Sequence, residues 1–481
     1  MQKYRHSIFL SLFIGFSILF IHGIGMAASQ SILPKSVQAT LKLANIPATN
    51  IGIFVQQVDK RQPLLAYGSH RSLNPASVMK ILTTFAGLDI LGPAYTWKTE
   101  VYADGPIVDG VLNGDLIIKG YGDPELTLER FWLMLRELRQ RGVREIRGDL
   151  VLDKGFFAYE AHDPGAFDND PYQPYNVGPD ALLVNFNVVP LRLVPQPELH
   201  SVSVLPEFPL TTLALRTVLT LDDAACGDWE SRLIVGVMPL PTGVAVDLSG
   251  PFSAACGEKQ LNLSFLRNGD YVYGLFKQLW NELGGTHSGG LRAEPASPAA
   301  RLLVTRESPP LAVVVRDINK FSNNVMARQL FLTIGAEQSG RPGSRDNAVA
   351  AVRAWLKERG LKFPELVLEN GSGLSRVERI SPQHMGALLI AAYGSPMFAE
   401  LESSLPIVAV DGTMRKRLKD NGVGGHAHIK SGSLGGVKTI AGYVFDRKGR
   451  RMAVVCMINH PRASAGREVQ DALLEWVYNR P

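Results

Sequence analysis

The chain has 481 residues, of which 46% are hydrophobic and 20% are charged, and its formal net charge is +5. At roughly 100–200 residues per domain, this length predicts two or three domains. The small net charge and the lack of a Lys/Arg cluster interleaved with aromatic residues argue against a nucleic-acid-binding protein.

The N-terminus has the layout of a secretory signal. Lys3 and Arg5 precede an apolar stretch at 8–21, and small residues follow at Ala27 and Ala28. This pattern predicts a cleavable signal peptide over 1–28, with an uncleaved membrane anchor as the alternative. Because no later stretch approaches the roughly 20 apolar residues of a membrane span, we expect an exported protein that is soluble or peripheral to the membrane.

The first elements after the signal are two strands and a helix. Alternating and β-branched residues predict strands at 50–59 and 62–68. A helix is expected from Ser77 to Gly92. A long tract of short strand-like runs follows, in which 127–141 predicts a helix and the Pro- and Asp-rich stretch 159–180 predicts an ordered loop.

Helical periodicity returns after about residue 317, at 317–338 and 344–360. The chain then predicts three antiparallel strands at 427–436, 438–446 and 451–460, and an amphipathic helix at 464–479. Strands at both ends with helices between them favour one α+β domain whose sheet uses both ends of the chain. The β-rich middle is then an insertion.

Three cysteines are present in the whole chain. Cys226 and Cys256 lie in polar, turn-rich sequence and can pair as a disulfide in an exported protein. Cys456 lies in an apolar strand and is expected to be a buried free thiol. None of them has the spacing with histidine that zinc requires, so we expect no metal site.

Ser77 and Lys80 form an unusual pair at the start of the first helix. The residues around them are almost all apolar, which predicts burial, and a helix N-terminus disfavours a cation. Both effects lower the pKa of Lys80, and a neutral amine beside a hydroxyl is a base next to a nucleophile. The alternative is that Ser77 caps the helix and Lys80 extends to the surface, although Lys is the wrong residue for a capping box.

Two further motifs favour a catalytic role for Ser77 and Lys80. Ser322 and Asn324 lie at the start of a predicted amphipathic helix, and Lys430, Ser431 and Gly432 lie in a predicted strand. Taken singly, these motifs are typical of a helix cap and of a solvated edge strand. In the order Ser-x-x-Lys, Ser-x-Asn, Lys-Ser-Gly they are the signature of penicillin-binding proteins and serine β-lactamases.

The chain resembles the D-alanyl-D-alanine carboxypeptidase/endopeptidases among the class C low-molecular-mass penicillin-binding proteins. Other stretches share the resemblance, namely 122–127, 183–187, 369–376 and 410–418. The chain departs from the wider pattern at Asn323 and Asn370, where Asp is common, and at Ser431, where Thr is usual.

The resemblance implies an α/β (α+β) fold with a split transpeptidase/β-lactamase-like domain, whose five-stranded antiparallel sheet is flanked by helices. It places this domain at 29–97 and 300–481. Two inserted β-rich domains are then expected, one at 98–165 with 258–299 and the other at 166–257.

The resemblance also implies a role for each motif residue. Ser77 attacks the penultimate D-Ala carbonyl, and Lys80 takes its proton. Ser322 relays a proton to the leaving amine, with Lys430 holding the network, and Asn324 orients the substrate amide.

Substrate binding is implied for a second group of residues. Ser431, helped by Lys430, binds the terminal carboxylate, and the adjoining Gly432 and Ser433 are further substrate-binding residues. The N–H groups of Ser77 and Ser433 form the oxyanion hole. Three residues outside the motifs are expected to contact the side chain of the stem peptide: Asp153, Phe157 and Arg376.

The implied partners are peptidoglycan stem peptides as substrates and β-lactams as covalent inhibitors, with no cofactor and with a periplasmic location. His426 and His428 flank the predicted strand and are expected to be structural. The balance of carboxypeptidase and endopeptidase activity and the oligomeric state, with a dimer among the options, stay open. The alternatives are a β-lactamase and a non-catalytic protein that binds the cell wall or β-lactams.

Overall fold

The computed structural model describes residues 32–480, so the predicted signal peptide at 1–28 lies outside the described residues. The α-helices in the described range are α1 Lys35–Ala44, α2 Met79–Leu91, α3 Leu128–Gln140, α4 Asn268–Glu282, α5 Leu311–Lys320, α6 Asn324–Ser339, α7 Arg345–Glu358, α8 Pro382–Tyr393, α9 Phe398–Ser404 and α10 Arg467–Tyr478.

The strands that precede α4 form the first part of the β-structure. They are β1 Ile51–Gln57, β2 Leu65–Tyr67, β3 Lys98–Asp104, β4 Ile107–Val108, β5 Val111–Leu112, β6 Asp115–Gly120, β7 Glu145–Ile146, β8 Leu150–Asp153, β9 Val189–Gln196, β10 Ser201–Pro206, β11 Leu213–Asp222, β12 Ile234–Pro239, β13 Val244–Ser253 and β14 Lys259–Leu263. The strands after α4 are β15 Thr286–His287, β16 Leu291–Ala293, β17 Arg301–Glu307, β18 Ala427–Leu434, β19 Val437–Phe445 and β20 Arg451–Asn459.

One five-stranded antiparallel sheet joins the two ends of the chain. Its strand order is β18-β19-β20-β1-β2, and Ile53 on β1 lies opposite Cys456 on β20. The predicted α+β fold with this sheet is therefore confirmed.

The sheet is covered on both faces, which explains why its central strands are almost wholly apolar. Along β20, Val454, Cys456 and Ile458 pack into a core shared with α1 and α10. The alternate residues Val455 and Met457 pack into a second core shared with α2 and α5–α8. Cys456 is a buried free thiol, as predicted.

Helix α2 lies inside the helical layer and contacts α5, α6 and α7. All its residues from Met79 to Leu88 are buried. Because α2 is enclosed by these helices, Lys80 lies in the protein interior and has no exposed surface.

The region after α5 differs from its predicted form. Helical periodicity begins at 317 in the sequence, but α5 ends at Lys320 and α6 begins at Asn324, in agreement with the helix start predicted at Ser322 and Asn324. Ser322 has a φ of 58°, which a continuous right-handed helix does not allow, and Asn323 caps α6 by accepting the Met326 N–H at 3.1 Å. Helix α6 is also buried on nearly all sides, so the prediction of an amphipathic helix was wrong.

The middle of the chain forms four further sheets. Their strand orders are β16-β8-β6-β3-β17, β15-β7-β5-β4, β10-β9-β14 and β11-β13-β12. Helices α3 and α4 share one core with these sheets, and β6 pairs in parallel with β8. Four helices were not predicted from sequence, namely α1, α4, α8 and α9.

Two strand pairings cross the predicted domain limits. Strand β17 pairs with β3, so the limit between 299 and 300 cuts a strand away from its own sheet. Strand β14 pairs with β9, so the limit between 257 and 258 divides another sheet. Both pairings join segments far apart in sequence, which composition does not reveal. The division into one split and two inserted domains otherwise stays a prediction.

Cys226 and Cys256 are joined by a disulfide that ties the end of β13 to the segment after β11. Within residues 32–480, no helix is both long enough and apolar enough to cross a membrane.

Candidate active site

Ser77 lies in a single 3-10 turn, Ala76–Val78, that leads into α2. Ala76 has a φ of 45°, and the turn is held by the Asn74 side chain, which accepts the Ala76 N–H at 2.9 Å. The Thr439 hydroxyl on β19 donates to the Pro75 carbonyl at 2.7 Å. The N-cap residues of the two helical segments are Pro75 and Val78, so Ser77 is not a helix cap, and its hydroxyl faces Lys80.

The amine of Lys80 has three neighbours. Its Nζ lies 3.1 Å from Ser77 Oγ and 2.6 Å from Asn324 Oδ1, and it also bonds the Ser372 carbonyl oxygen. The last two atoms are acceptors that each take one N–H. When the amine is neutral, its lone pair is left facing the Ser77 hydroxyl.

Burial favours the neutral amine. The pKa of Lys80 lies well below its ordinary value, first because burial removes the ammonium from water and then because Lys430 and Arg328 carry like charges nearby. The carboxylate of Glu378 acts in the opposite direction. The geometry and the electrostatics both make Lys80 a suitable base for Ser77.

A second lysine and serine face each other across the same site. Lys430 on β18 is fully buried, and its Nζ donates to Ser322 Oγ at 2.8 Å and to the Ser431 carbonyl at 2.9 Å. Burial lowers the pKa of Lys430 to about 7. The turn between α5 and α6 aims Ser322 at this amine because its backbone is left-handed there.

Strand β18 passes very close to the backbone of Ser77 at Gly432. A Cβ on Gly432 would lie 2.8 Å from the Ser77 nitrogen and 2.3 Å from Thr439 Oγ1, so only glycine fits. On either side, Ser431 Oγ lies 2.9 Å from Thr413 Oγ1, and Ser433 Oγ accepts from Lys438 Nζ at 2.8 Å.

An open cavity of about 520 Å³ exposes these groups together. Its lining residues are Ser77, Ser322, Gly412, Thr413, Arg415, Lys416, Arg417, Ser431, Gly432, Ser433, Lys438 and Arg467. The structure thus brings the three motifs to one place, and the cavity walls are strongly basic.

The three residues predicted to contact the stem side chain are in different environments. The Asp153 carboxylate is nearly fully buried and bonds Lys119 at 3.1 Å and the Ala296 N–H at 2.9 Å. Phe157 is buried in a small apolar cluster. Arg376 is exposed and donates to the Gly435 carbonyl, just after β18, at 3.2 Å. Their contact with substrate stays a prediction, and Arg376 is the accessible member.

Sequence reasoning missed three residues that shape the site: Ser372, Glu378 and Thr413. The stretch 369–376 drew attention only through the resemblance, and 410–418 likewise. Glu378 is fully buried, and its Oε1 accepts the N–H groups of Glu369, Asn370 and Gly371 at 3.0 Å each. This organises the loop whose Ser372 carbonyl meets Lys80.

Asn370 has a structural role that aspartate would not reproduce. Its Oδ1 accepts the Ser372 N–H at 2.9 Å, while its Nδ2 donates to the Leu374 carbonyl at 2.9 Å. His426, just before β18, and His428, within it, do not line the cavity. His428 bonds the Glu402 carbonyl at 3.1 Å, and His426 packs on Tyr478.

Residues 33–480 match the model of the D-Ala-D-Ala carboxypeptidase 3 (S13) family. The chain belongs to this family. The predicted resemblance to D-alanyl-D-alanine carboxypeptidases is therefore confirmed over nearly the whole described chain.

This S13 chain is similar in sequence to two relatives over most of its length. It is 27% identical over 418 residues to the D-alanyl-D-alanine carboxypeptidase DacB of Haemophilus influenzae, covering 85% of each chain. It is 29% identical over 463 residues to the D-alanyl-D-alanine carboxypeptidase of Actinomadura sp. strain R39, covering 92% of this chain and 83% of that one.

The same fold is seen in solved structures. Penicillin-binding protein 4 (dacB) from Haemophilus influenzae superposes with a TM-score of 0.77 at 25% identity, covering 92% of this chain and 99% of that one. A structure of that protein complexed with a β-lactam superposes with a TM-score of 0.74 at 23% identity, covering 92% and 100%.

Proposed function

We propose that this protein is a serine DD-peptidase that cleaves peptidoglycan stem peptides through an acyl-enzyme on Ser77. The bonds that it cleaves are the terminal D-Ala-D-Ala bond, as a carboxypeptidase, and the D-Ala-diaminopimelate cross-link, as an endopeptidase. The observation that carries the proposal is the buried Lys80 amine, held by two acceptors and 3.1 Å from Ser77 Oγ. Membership of the S13 family supports the same reaction.

Acylation begins when Ser77 Oγ bonds to the carbonyl carbon of the penultimate D-Ala. The hydroxyl proton passes to the neutral Lys80 amine, which becomes an ammonium. The N–H groups of Ser77 and Ser433 stabilise the oxyanion, whose charge develops only in the transition state. The close fit of β18 at Gly432 supports this role, because it brings the strand against the Ser77 nitrogen.

Collapse of the tetrahedral intermediate breaks the C–N bond, and the leaving amine takes a proton through Ser322. Lys430 donates to Ser322 at 2.8 Å and, with its lowered pKa, can take part in this transfer. A water molecule then attacks the acyl carbon, and its proton replaces, through Ser322, the one given to the leaving amine. The bond from the acyl carbon to Ser77 Oγ breaks, and Oγ takes back its proton from the Lys80 ammonium.

The leaving residue is held by its carboxylate. Ser431 and Thr413 place two hydroxyls 2.9 Å apart at the cavity wall, and the positive charge of the wall favours an anion there. Asn324, through the amide group that also bonds Lys80, is placed to orient the substrate amide.

β-Lactams mimic the D-Ala-D-Ala end and are expected to acylate Ser77. The Haemophilus relative in complex with a β-lactam supports this proposal. The N-terminal signal pattern supports action in the periplasm, where the substrate is found.

The first experiment is covalent labelling with a fluorescent penicillin. We expect the purified protein to be labelled and Ser77→Ala to lose the label. Ser72→Ala is the matched control, because Ser72 is an exposed serine in the same loop. Labelling of Ser77→Ala at the wild-type rate would show that the nucleophile is another residue.

The second experiment is mass spectrometry of muropeptides after incubation with the protein. Loss of one D-Ala shows carboxypeptidase activity, and conversion of cross-linked dimers to monomers shows endopeptidase activity. Rapid nitrocefin turnover would favour a β-lactamase, and penicillin binding without product would favour a non-catalytic protein.

A further inference from the structure

The cavity beside Ser77 has a basic rim, which we define as Arg415, Lys416, Lys438 and Arg467. Arg415, Lys416 and Arg467 are exposed, and Lys438 is partly buried. Arg417 also lines the cavity but is buried and bound to Asp471, so its charge is already paired. No Asp or Glu appears among the residues that line this cavity.

The rim charges are poorly neutralised within the part of the chain that the structure describes. Arg467 approaches Asp471 only at 4.0 Å, and Lys438 donates to the neutral Ser433 hydroxyl. For Arg415 and Lys416, no ion pair occurs between residues 32 and 480. Such clustering of like charges creates a positive field over the cavity that attracts anionic ligands.

The neighbouring positive charges of the rim affect the pKa of Lys438. Its pKa is lowered, first by partial burial and then by the charges of Arg417 and Arg467, while Asp471 and Glu468 act in the opposite direction. The acidic groups facing this lysine are thus outweighed by basic ones. An arrangement of this kind is costly in the free protein and is relieved by a bound anion.

The rim lies on the side of the reaction centre where the leaving group is bound. It adjoins Ser431, Ser433 and Thr413, where the carboxylate of the leaving residue is placed in the proposed function. A leaving D-alanine ends at that carboxylate and offers the rim no further anion. A leaving group that is itself a stem peptide carries additional free carboxylates and extends beyond that point.

We propose that the basic rim is a leaving-side subsite that binds the free carboxylates of a stem peptide released from a cross-link. The inference rests on the proposed function and adds to it a preference, since the site then favours cross-linked over uncross-linked substrate ends. In both substrates the bond that breaks is an amide between a D-Ala carbonyl and the leaving amine, and the proton transfers are the same.

The test compares two purified substrates, a cross-linked muropeptide dimer and a monomeric disaccharide pentapeptide. Its readout is the ratio of the kcat/KM values for dimer and pentapeptide. In the double variant Arg415→Gln/Lys416→Gln we expect this ratio to fall about tenfold, mainly through KM of the dimer. Lys419→Gln is the matched control, because Lys419 is exposed in the same segment but does not line the cavity.

Two further measurements sharpen the test. The wild-type ratio should fall as salt rises from about 0.05 to 0.5 M, because salt screens exposed charges. A dimer whose leaving stem is amidated at every carboxylate except the one next to the scissile bond should be cleaved more slowly than the free acid by the wild type. The double variant should cleave both forms at the same rate.

The inference is overturned if the double variant leaves the ratio unchanged, if amidation has no effect, or if the wild type cleaves pentapeptide but no dimer. Failure of the proposed function is a different result: the wild type is not labelled by penicillin and cleaves neither substrate. Thermal unfolding of each variant, compared with the control, separates these outcomes from misfolding.

Discussion

Lys80 Nζ lies 2.6 Å from Oδ1 of Asn324, although the two residues are 244 positions apart in the chain. This bond joins the start of α2 to the start of α6. Together with the Ser372 carbonyl, it accounts for two hydrogens of the amine, and the lone pair of the neutral form then faces Ser77. The serine and its base are thus held by backbone and side-chain groups from three separate segments.

Replacing this amide by a carboxylate should shift the pH dependence of acylation. In Asn324→Asp, a negative charge next to Lys80 favours the ammonium and raises its pKa. The neutral base then appears only at higher pH, so the acid limb of the acylation profile moves to more alkaline pH. Rates of penicillin acylation between pH 5 and 10 would measure this, and a limb that stays in place or moves to acid pH would contradict it.

The close approach of β18 to Ser77 predicts a large effect from one methyl group. Gly432→Ala should lower the acylation rate at least about tenfold, because its Cβ would lie 2.8 Å from the Ser77 nitrogen and must push the strand away. Gly435→Ala is the matched control in the same hairpin, since its Cβ would meet nothing closer than Arg376 at 3.8 Å. Similar rates for the two variants would argue against the packing explanation.

Burial of Lys430 predicts a pH-dependent stability. Its pKa is about 7 in the folded protein and 10.5 ordinarily, so between these values the unfolded chain binds more protons than the folded one. The contribution of Lys430 to the free energy of unfolding therefore rises with pH across that window. The Lys430→Met variant lacks this pH-dependent contribution. Denaturant titrations at pH 7 and 9 should show the wild type gaining stability relative to Lys430→Met as the pH rises.

Glu378 should act as a positioning residue for the loop that contacts Lys80. Glu378→Ala removes the acceptor of three buried N–H groups and should lower the free energy of unfolding by about 1–3 kcal/mol. It should also slow acylation, because the Ser372 carbonyl is no longer held against Lys80.

Glu378→Gln distinguishes this from general destabilisation. Glutamine keeps an acceptor oxygen at the same position and is expected to restore most of the acylation rate. A variant that recovers stability without recovering acylation would show that the charge of Glu378, and not the loop geometry, is what Lys80 requires.

Much of the fold was predictable because its signals are local. The strands at both ends of the chain and helices α2, α3, α7 and α10 follow from side-chain periodicity and turn residues. Helices α1, α4, α8 and α9 were not predicted. The amphipathic pattern predicted for α6 is wrong because the burial of this helix depends on neighbours far away in sequence.

The sequence by itself determined which reactive residue types are present and in what order, from Ser77 and Lys80 to Lys430 and Ser431. Periodicity and composition also indicated that Lys80 is buried. The tertiary structure alone decided that Ser372, Glu378 and Thr413 belong to the site, and that strand β17 pairs with β3. The Ser372 contact and the β17–β3 pairing join distant segments through backbone groups, which every residue carries. Glu378 and Thr413 are common residue types that act through the local fold of their loops, so no sequence pattern marks any of these contacts.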